Sequence, residues 1–255
     1  MVLNSIAYQT LKPDKVTLIL SEYYRRFDKT LGDEEFSIIN DLKQKYPFLE
    51  VKIFDDMGPF TNMAYSLSHE PESTTIVGCD DDCIYSETWF EGLINGANKY
   101  PHAAIGYRGR KIKGMRYLRD TIALESGEIE KDYEQVNLIT GVAGCVYRPS
   151  FFKKDFLQEW QYKSNKHSFI FYNDDIWMGA QLAKNKIPLF IIKNPEVRIA
   201  ARTIRTQTIV KQNRHDKSKT FCFMRLETPL IYDTGQLKRN YRHLRYFKHL
   251  WDYNL

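Results

Sequence analysis

The chain has 255 residues, a formal net charge of +5, and 43% hydrophobic and 27% charged residues. That balance excludes an intrinsically disordered chain, and the length suffices for one large α/β domain or two small ones. The charge is compatible with an anionic ligand or surface but too mild to demand one.

The four cysteines (Cys79, Cys83, Cys145 and Cys222) form no CxxC pair, and no Cys/His group has zinc-finger spacing. Free thiols and a reducing compartment are the expectation. The start, MVLNSIAYQTLKPDK, lacks a basic segment followed by an apolar one. No apolar run reaches membrane-spanning length. A cytoplasmic protein is expected, with peripheral contact to a membrane left open.

In chain order, VLNSIAYQ reads as a short helix and KVTLIL as a strand. Asp33 is expected to cap the helix DEEFSIINDLKQKY, acidic at its start and basic at its end, which Pro47 stops. LEVKIF is the next strand, closed by Asp55-Asp56-Met57-Gly58-Pro59, and FTNMAYSLSH the next helix. The apolar run TTIVGC leads into Asp80-Asp81-Asp82, Ser86 is expected to cap ETWFEGLINGANKY, and AAIGY is a further strand. This alternation predicts a mostly parallel sheet covered by helices.

The second half is less regular. Residues 108–135 are polar and charged, which predicts a loop or small hairpin over the sheet. VNLITGVAGCVY is apolar but interrupted by Gly141 and Gly144. Pro149 is expected to open the helix PSFFKKDFLQEW, Asn173-Asp174-Asp175 to start another, and PLFIIK to form a strand. The tail after Asp233 mixes Arg239, Arg242, Arg245 and Lys248 with Tyr241, Leu244, Phe247 and Trp251 at helical spacing. It suits an anionic membrane surface or packing against the rest of the chain. The expected organisation is a domain over 1–219 and a basic, aromatic helical extension over 220–255.

The acidic groups carry the chemistry. Side-by-side carboxylates repel one another, so ending a buried strand with three of them is costly unless a cation or donors compensate. In extended backbone Asp80 and Asp82 would share a face and Asp81 would point away. Two hard oxygen donors on one face suit Mg²⁺ or Mn²⁺, which complete their shells with substrate phosphates. A solvated acidic turn is the alternative. Asp55-Asp56 is by itself a turn composition, but ligands of open α/β sheets bind beyond the carboxyl ends of strands, where both groups would lie. Asn173-Asp174-Asp175 fits an ordinary helix start. A carboxylate held there beside a metal–diphosphate complex could equally deprotonate a hydroxyl nucleophile.

Taken together, these segments resemble a family. VGCDDDCIYSETWFEGLI is similar to the strand–DxD–helix segment of GT-A-fold glycosyltransferases, specifically family-2-like members from bacteria and large viruses. FDDMGPFTNM, AAIGYRGR, LITGVAGCVYRPSFF and FYNDDIWMGAQLAKNKIPLF resemble, in the family's order, its acidic segment, the strand after the DxD helix, the Gly-rich acceptor-side segment and the helix start with the catalytic acid pair. The resemblance spans roughly residues 1–195. It implies a GT-A, Rossmann-like α/β fold and a metal-dependent, inverting transfer from a nucleotide-sugar donor to a glycan or lipid-linked acceptor.

By resemblance, Asp80 and Asp82 would hold the Mn²⁺ or Mg²⁺, with Asp82 the more direct ligand. Asp55 or Asp56 would contact the base or ribose, and Asp81 would lie in the donor site. Gly141 and Gly144 would let the main chain approach the sugar, unless they serve only a bulge or bend. Asp175 would be the general base, with Asp174 positioning it or exchanging roles. Arg108, Arg110 and Lys111 could meet a phosphate or an anionic acceptor, and His215 sits where some members supply a late metal or phosphate contact; a solvated surface is the plainer reading of both.

The sequence departs from the family pattern twice. A strand that usually precedes the helix resembled by VLNSIAYQ is expected to be missing, and Asn62 stands where related sequences often carry Lys. Two other readings stay open at this level. Paired carboxylates at strand ends also serve nucleotidyl transfer by two-metal chemistry, although a GxxxxGK[ST] loop is missing. A degenerate nucleotide-binding protein without activity is the other. Nucleic acid is not an expected partner, since the charge is weak and no recognised motif occurs.

Overall fold

The computed structural model describes residues 2–81, 83–112, 121–167 and 170–194. Asp82, residues 113–120, His215 and the whole extension 220–255 therefore lie outside the described residues. Among those residues no helix is long and apolar enough to cross a membrane.

A short helix α1 (Val2–Ala7) precedes a β-α-β unit of β1 (Val16–Leu20), α2 (Asp33–Lys45) and β4 (Leu49–Ile53), with β1 and β4 paired in parallel. Between β1 and α2 the chain makes a small hairpin, β2 (Tyr23–Tyr24) and β3 (Lys29–Thr30). Gly32, rather than Asp33, occupies the N-cap of α2, and the Glu35 carboxylate reaches back to accept from its main-chain N–H at 2.9 Å. Glu35 also pairs with Lys29, tying the hairpin to the helix. The helix ends at Tyr46, just before Pro47, as a proline requires.

The central sheet has the order β5 (Ile76–Gly78), β11 (Cys145–Tyr147), β6 (Ala104–Gly106), β12 (Leu189–Ile192) and β9 (Tyr133–Val136). β5, β6 and β12 run one way. β11 runs antiparallel between β5 and β6, and β9 is antiparallel to β12. The α/β class is as expected, but the sheet is mixed rather than mostly parallel. The reason lies in the segment that resisted reading: its two glycines cut VNLITGVAGCVY into β10 (Leu138–Ile139), a 3₁₀ turn at Gly141–Ala143 and the three-residue β11. Strands so short show no periodicity from which to infer direction.

Alternate residues of the central strands sort to two cores. Ala104, Cys145, Tyr147 and Ile191 pack with α3 (Thr61–His69), α5 (Phe156–Lys166) and α6 (Asp174–Lys184), around Phe60, Trp160 and Trp177. Ile105, Val146 and Ile192 face the other way, onto α4 (Trp89–Lys99) through Trp89, Leu93 and Ala97. Both faces are therefore dry, which is why these strands read as continuous apolar runs. The polar stretch after Tyr107 forms the expected hairpin, β7 (Arg108–Ile112) and β8 (Thr121–Glu125), extended by β10 into a separate antiparallel sheet.

Two further helix starts differ from expectation. Thr88, not Ser86, is the N-cap of α4; Pro149 opens a 3₁₀ turn, Pro149–Phe151, and α5 begins only at Phe156.

Candidate functional site

The site is built where β5 ends and β11 begins. Register pairs Gly78 with Cys145, so the residues after Gly78 and those before Cys145 lie side by side at one edge. β5 stops at Gly78 and the chain is turning by Asp81, so the strand does not extend to Asp80, and the alternation expected of Asp82 falls outside the described residues. Asp80 is half-buried and Asp81 exposed.

Two aromatic residues pin this edge. The main-chain N–H of Asp80 donates to Tyr85 Oη at 2.9 Å, and that hydroxyl donates to Val142 O at 3.2 Å. Tyr85 stacks on Trp89, with ring centroids 4.1 Å apart, and Trp89 Nε1 donates to Ala143 O at 2.8 Å. Gly144 has φ +102°, and a Cβ there would fall 2.6 Å from the Trp89 ring. Its glycine is a packing and backbone requirement. Gly141 is different: a Cβ at that position would point between Asp175 Oδ1, at 3.7 Å, and Asp80 Oδ1, at 3.9 Å.

Asp175 reaches this edge from α6. Asn173 caps the helix, its Oδ1 accepting from Ile176 N at 3.1 Å, which places Asp174 and Asp175 in the first turn. Asp175 Oδ1 accepts from Gly141 N at 3.1 Å. Asp174 and Asp175 are both half-buried.

Burial, the neighbouring Asp174 charge and Asp80 push the Asp175 carboxyl well above the usual range, against the opposing Gly141 N–H and Arg108. Burial also raises Asp174, opposed by main-chain N–H groups of the first turn and by Arg26. Burial, with Asp80 and Asp81, pushes the Cys79 thiol up to about 12, so it stays neutral and is no nucleophile.

The Asp55-Asp56 pair divides. Asp56 is buried and both its oxygens accept main-chain hydrogen bonds, Oδ2 from Arg25 N at 2.7 Å and Oδ1 from Gly58 N at 2.8 Å. Arg25 Nη2 donates in turn to Asp56 O at 2.6 Å. Asp56 thus clamps the turn after β4 to the hairpin after β1. Asp55 is exposed. Gly58 lies against Phe171, over which Arg25 also sits at 5.8 Å, so this double turn abuts the start of α6.

The structure therefore brings Asp56, Asp80, Gly141, Gly144, Asp174 and Asp175 to one corner. Arg108 joins it electrostatically, but its Nε pairs with Glu125 at 3.2 Å; Lys111 is paired with Glu134 at 2.6 Å. Sequence reasoning missed Tyr85, Trp89 and the arginines after β1. Two adjacent charges a few residues beyond the carboxyl end of β1 were the available signal for Arg25-Arg26.

Among the described residues no group of three or more His, Cys, Asp or Glu stands close enough to hold a metal ion. Asp80 supplies a hard carboxylate donor at an open edge, which fits a Mg²⁺ or Mn²⁺ bound by few protein oxygens and completed by phosphates. Compared with known proteins by sequence, the chain matches no family model and no curated protein.

Proposed function

We propose that the chain is a metal-dependent, inverting glycosyltransferase that moves a sugar from a nucleotide-sugar donor to a hydroxyl of a glycan or lipid-linked acceptor. The observation that carries this reading is the approach of Asp80 and Asp175, from different elements, to either side of Gly141. A cation-holding carboxylate beside a proton-accepting one is what displacement of a diphosphate by a hydroxyl requires.

Asp80 and Asp82 are the residues that would hold Mg²⁺ or Mn²⁺, which when bound neutralises the departing nucleoside diphosphate. Asp175 accepts the proton of the acceptor hydroxyl, because its raised proton affinity brings it nearer to working pH than an ordinary carboxylate. Asp174 lies beside it in the same helical turn, and its charge is one of the causes that raise Asp175. With one base and no carboxylate nucleophile, the reaction is a direct displacement with inversion at the anomeric carbon. Asp55, exposed where Asp56 is not, is the residue of that pair left to meet the nucleotide.

The test is a donor screen with UDP-, GDP-, dTDP- and CMP-sugars in Mn²⁺. Wild type is expected to release a nucleoside diphosphate, or CMP from a CMP-sugar, and Asp82→Ala and Asp175→Asn to lose that release. Undiminished release in both variants overturns the assignment. Release of pyrophosphate from a nucleoside triphosphate instead assigns nucleotidyl transfer, and metal-dependent nucleotide binding without turnover a non-catalytic role.

A further inference from the structure

Arg26 stands out among the charged groups of the corner. Its guanidinium lies over the Phe27 ring at 4.7 Å, and the charges acting on it are Asp56, Tyr172 and Asp174. Its Nε and Nη1 are enclosed without a hydrogen-bond partner among the described residues. The other two arginines of the corner are engaged: Arg25 donates to Asp56 O and Arg108 to Glu125.

Enclosing guanidinium N–H groups without acceptors is costly. A cation retained in that condition is poised for an acceptor that the described residues do not supply. Its neighbours say which kind. Asp56 spends both oxygens on main-chain N–H groups, and Asp174 already accepts from the first turn of α6. Among the described residues that leaves a ligand to supply the acceptor, and an anionic one suits a guanidinium, which binds phosphate oxygens in a fixed fork.

Resting on the glycosyl-transfer reading of the site, we propose that Arg26 is a phosphate-binding residue, whose guanidinium swings from its enclosed position onto an oxyanion of the nucleoside diphosphate. The diphosphate is then held from two sides: from the edge carrying Asp80, and from the hairpin after β1 across Asp174.

The experiment is calorimetric titration of the full chain with magnesium pyrophosphate, in excess Mg²⁺ at fixed ionic strength, comparing wild type, Arg26→Gln and Arg26→Lys. Loss of a charge-assisted pair predicts binding weakened about tenfold or more in Arg26→Gln. Arg26→Lys, which keeps the charge but not the fork, should fall between the two. Arg26→Gln binding within about twofold of wild type overturns the proposal, as does a wild type without saturable pyrophosphate binding. If Arg26→Gln melts markedly lower, Arg26→Lys decides: binding unchanged from wild type, or lost in proportion to melting, overturns it.

The outcomes separate from those for the activity. Arg26-dependent pyrophosphate binding without sugar transfer overturns the transferase and leaves the phosphate site. Asp175-dependent transfer with unchanged Arg26→Gln binding overturns only the phosphate site.

Discussion

The main-chain N–H of Gly141 donates to Asp175 Oδ1 at 3.1 Å, joining the turn before β11 to the first turn of α6. The missing Cβ of Gly141 leaves open the space between Asp175 and Asp80, and the contacts a methyl would make there, 3.7 and 3.9 Å, are ordinary ones. Gly141→Ala should therefore fold with wild-type stability while lowering transfer about 10- to 100-fold, because the methyl occupies the reacting position. Equal losses in melting temperature and activity would show that the glycine is structural.

Burial and the neighbouring Asp174 oppose ionisation of the Asp175 carboxyl. A carboxyl raised in the folded state above its unfolded value costs stability once ionised, from the unfolded range upward in pH. Asp175→Asn should accordingly raise stability at neutral pH while lowering transfer about 10²- to 10⁴-fold. The stability gain should vanish as pH falls below about 4, where the carboxyl is protonated in both states. Urea titrations across pH measure it; a variant less stable than wild type at pH 7 refutes the placement of this charge.

Asp55 and Asp56 are adjacent but should respond differently. Asp56→Ala leaves the N–H groups of Arg25 and Gly58 without their acceptor and should cost about 1–3 kcal/mol. Asp55→Ala, at an exposed position, should leave stability within about 0.5 kcal/mol of wild type and weaken nucleotide binding. Thermal melts with and without nucleotide separate the two effects.

At Gly144 the expectation is reversed from Gly141. A φ of +102° and a Cβ 2.6 Å from the Trp89 ring make Gly144→Ala destabilising by about 2–4 kcal/mol. Pairing it with Trp89→Phe, which vacates part of that space, should recover some of the loss. Additive losses in the double variant would rule out the contact as the cause.

Glu159 joins α5 to α6. Burial alone would raise its carboxyl, but Lys163 at 2.6 Å, Lys184 at 2.8 Å and Gln181 Nε2 at 3.0 Å hold it down to about 2. A lowered carboxyl contributes stability above its unfolded value, near 4.5, and loses it as pH falls toward about 2. Allowing for solvent screening, Glu159→Gln should cost about 1–2 kcal/mol at pH 7 and progressively less below pH 4.5. A pH-independent cost would point to packing instead.

Some of this was legible in the sequence because it is local. Helical periodicity, caps and the apolar runs of β1, β4, β5 and β12 follow from neighbours a few residues apart, and acidic groups at strand ends announce themselves by their cost. The antiparallel insertion of β11, the separation of Asp55 from Asp56, and the difference between Gly141 and Gly144 could not be read that way. Each depends on what a distant segment places opposite: Gly78 for β11, Arg25 for Asp56, Asp175 for Gly141, Trp89 for Gly144. The α/β class and the acidic residues on offer follow from local pattern. Which carboxylates meet depends on the folded chain, because hydrogen bonds and close packing across the sheet edge act between residues that the chain order keeps apart.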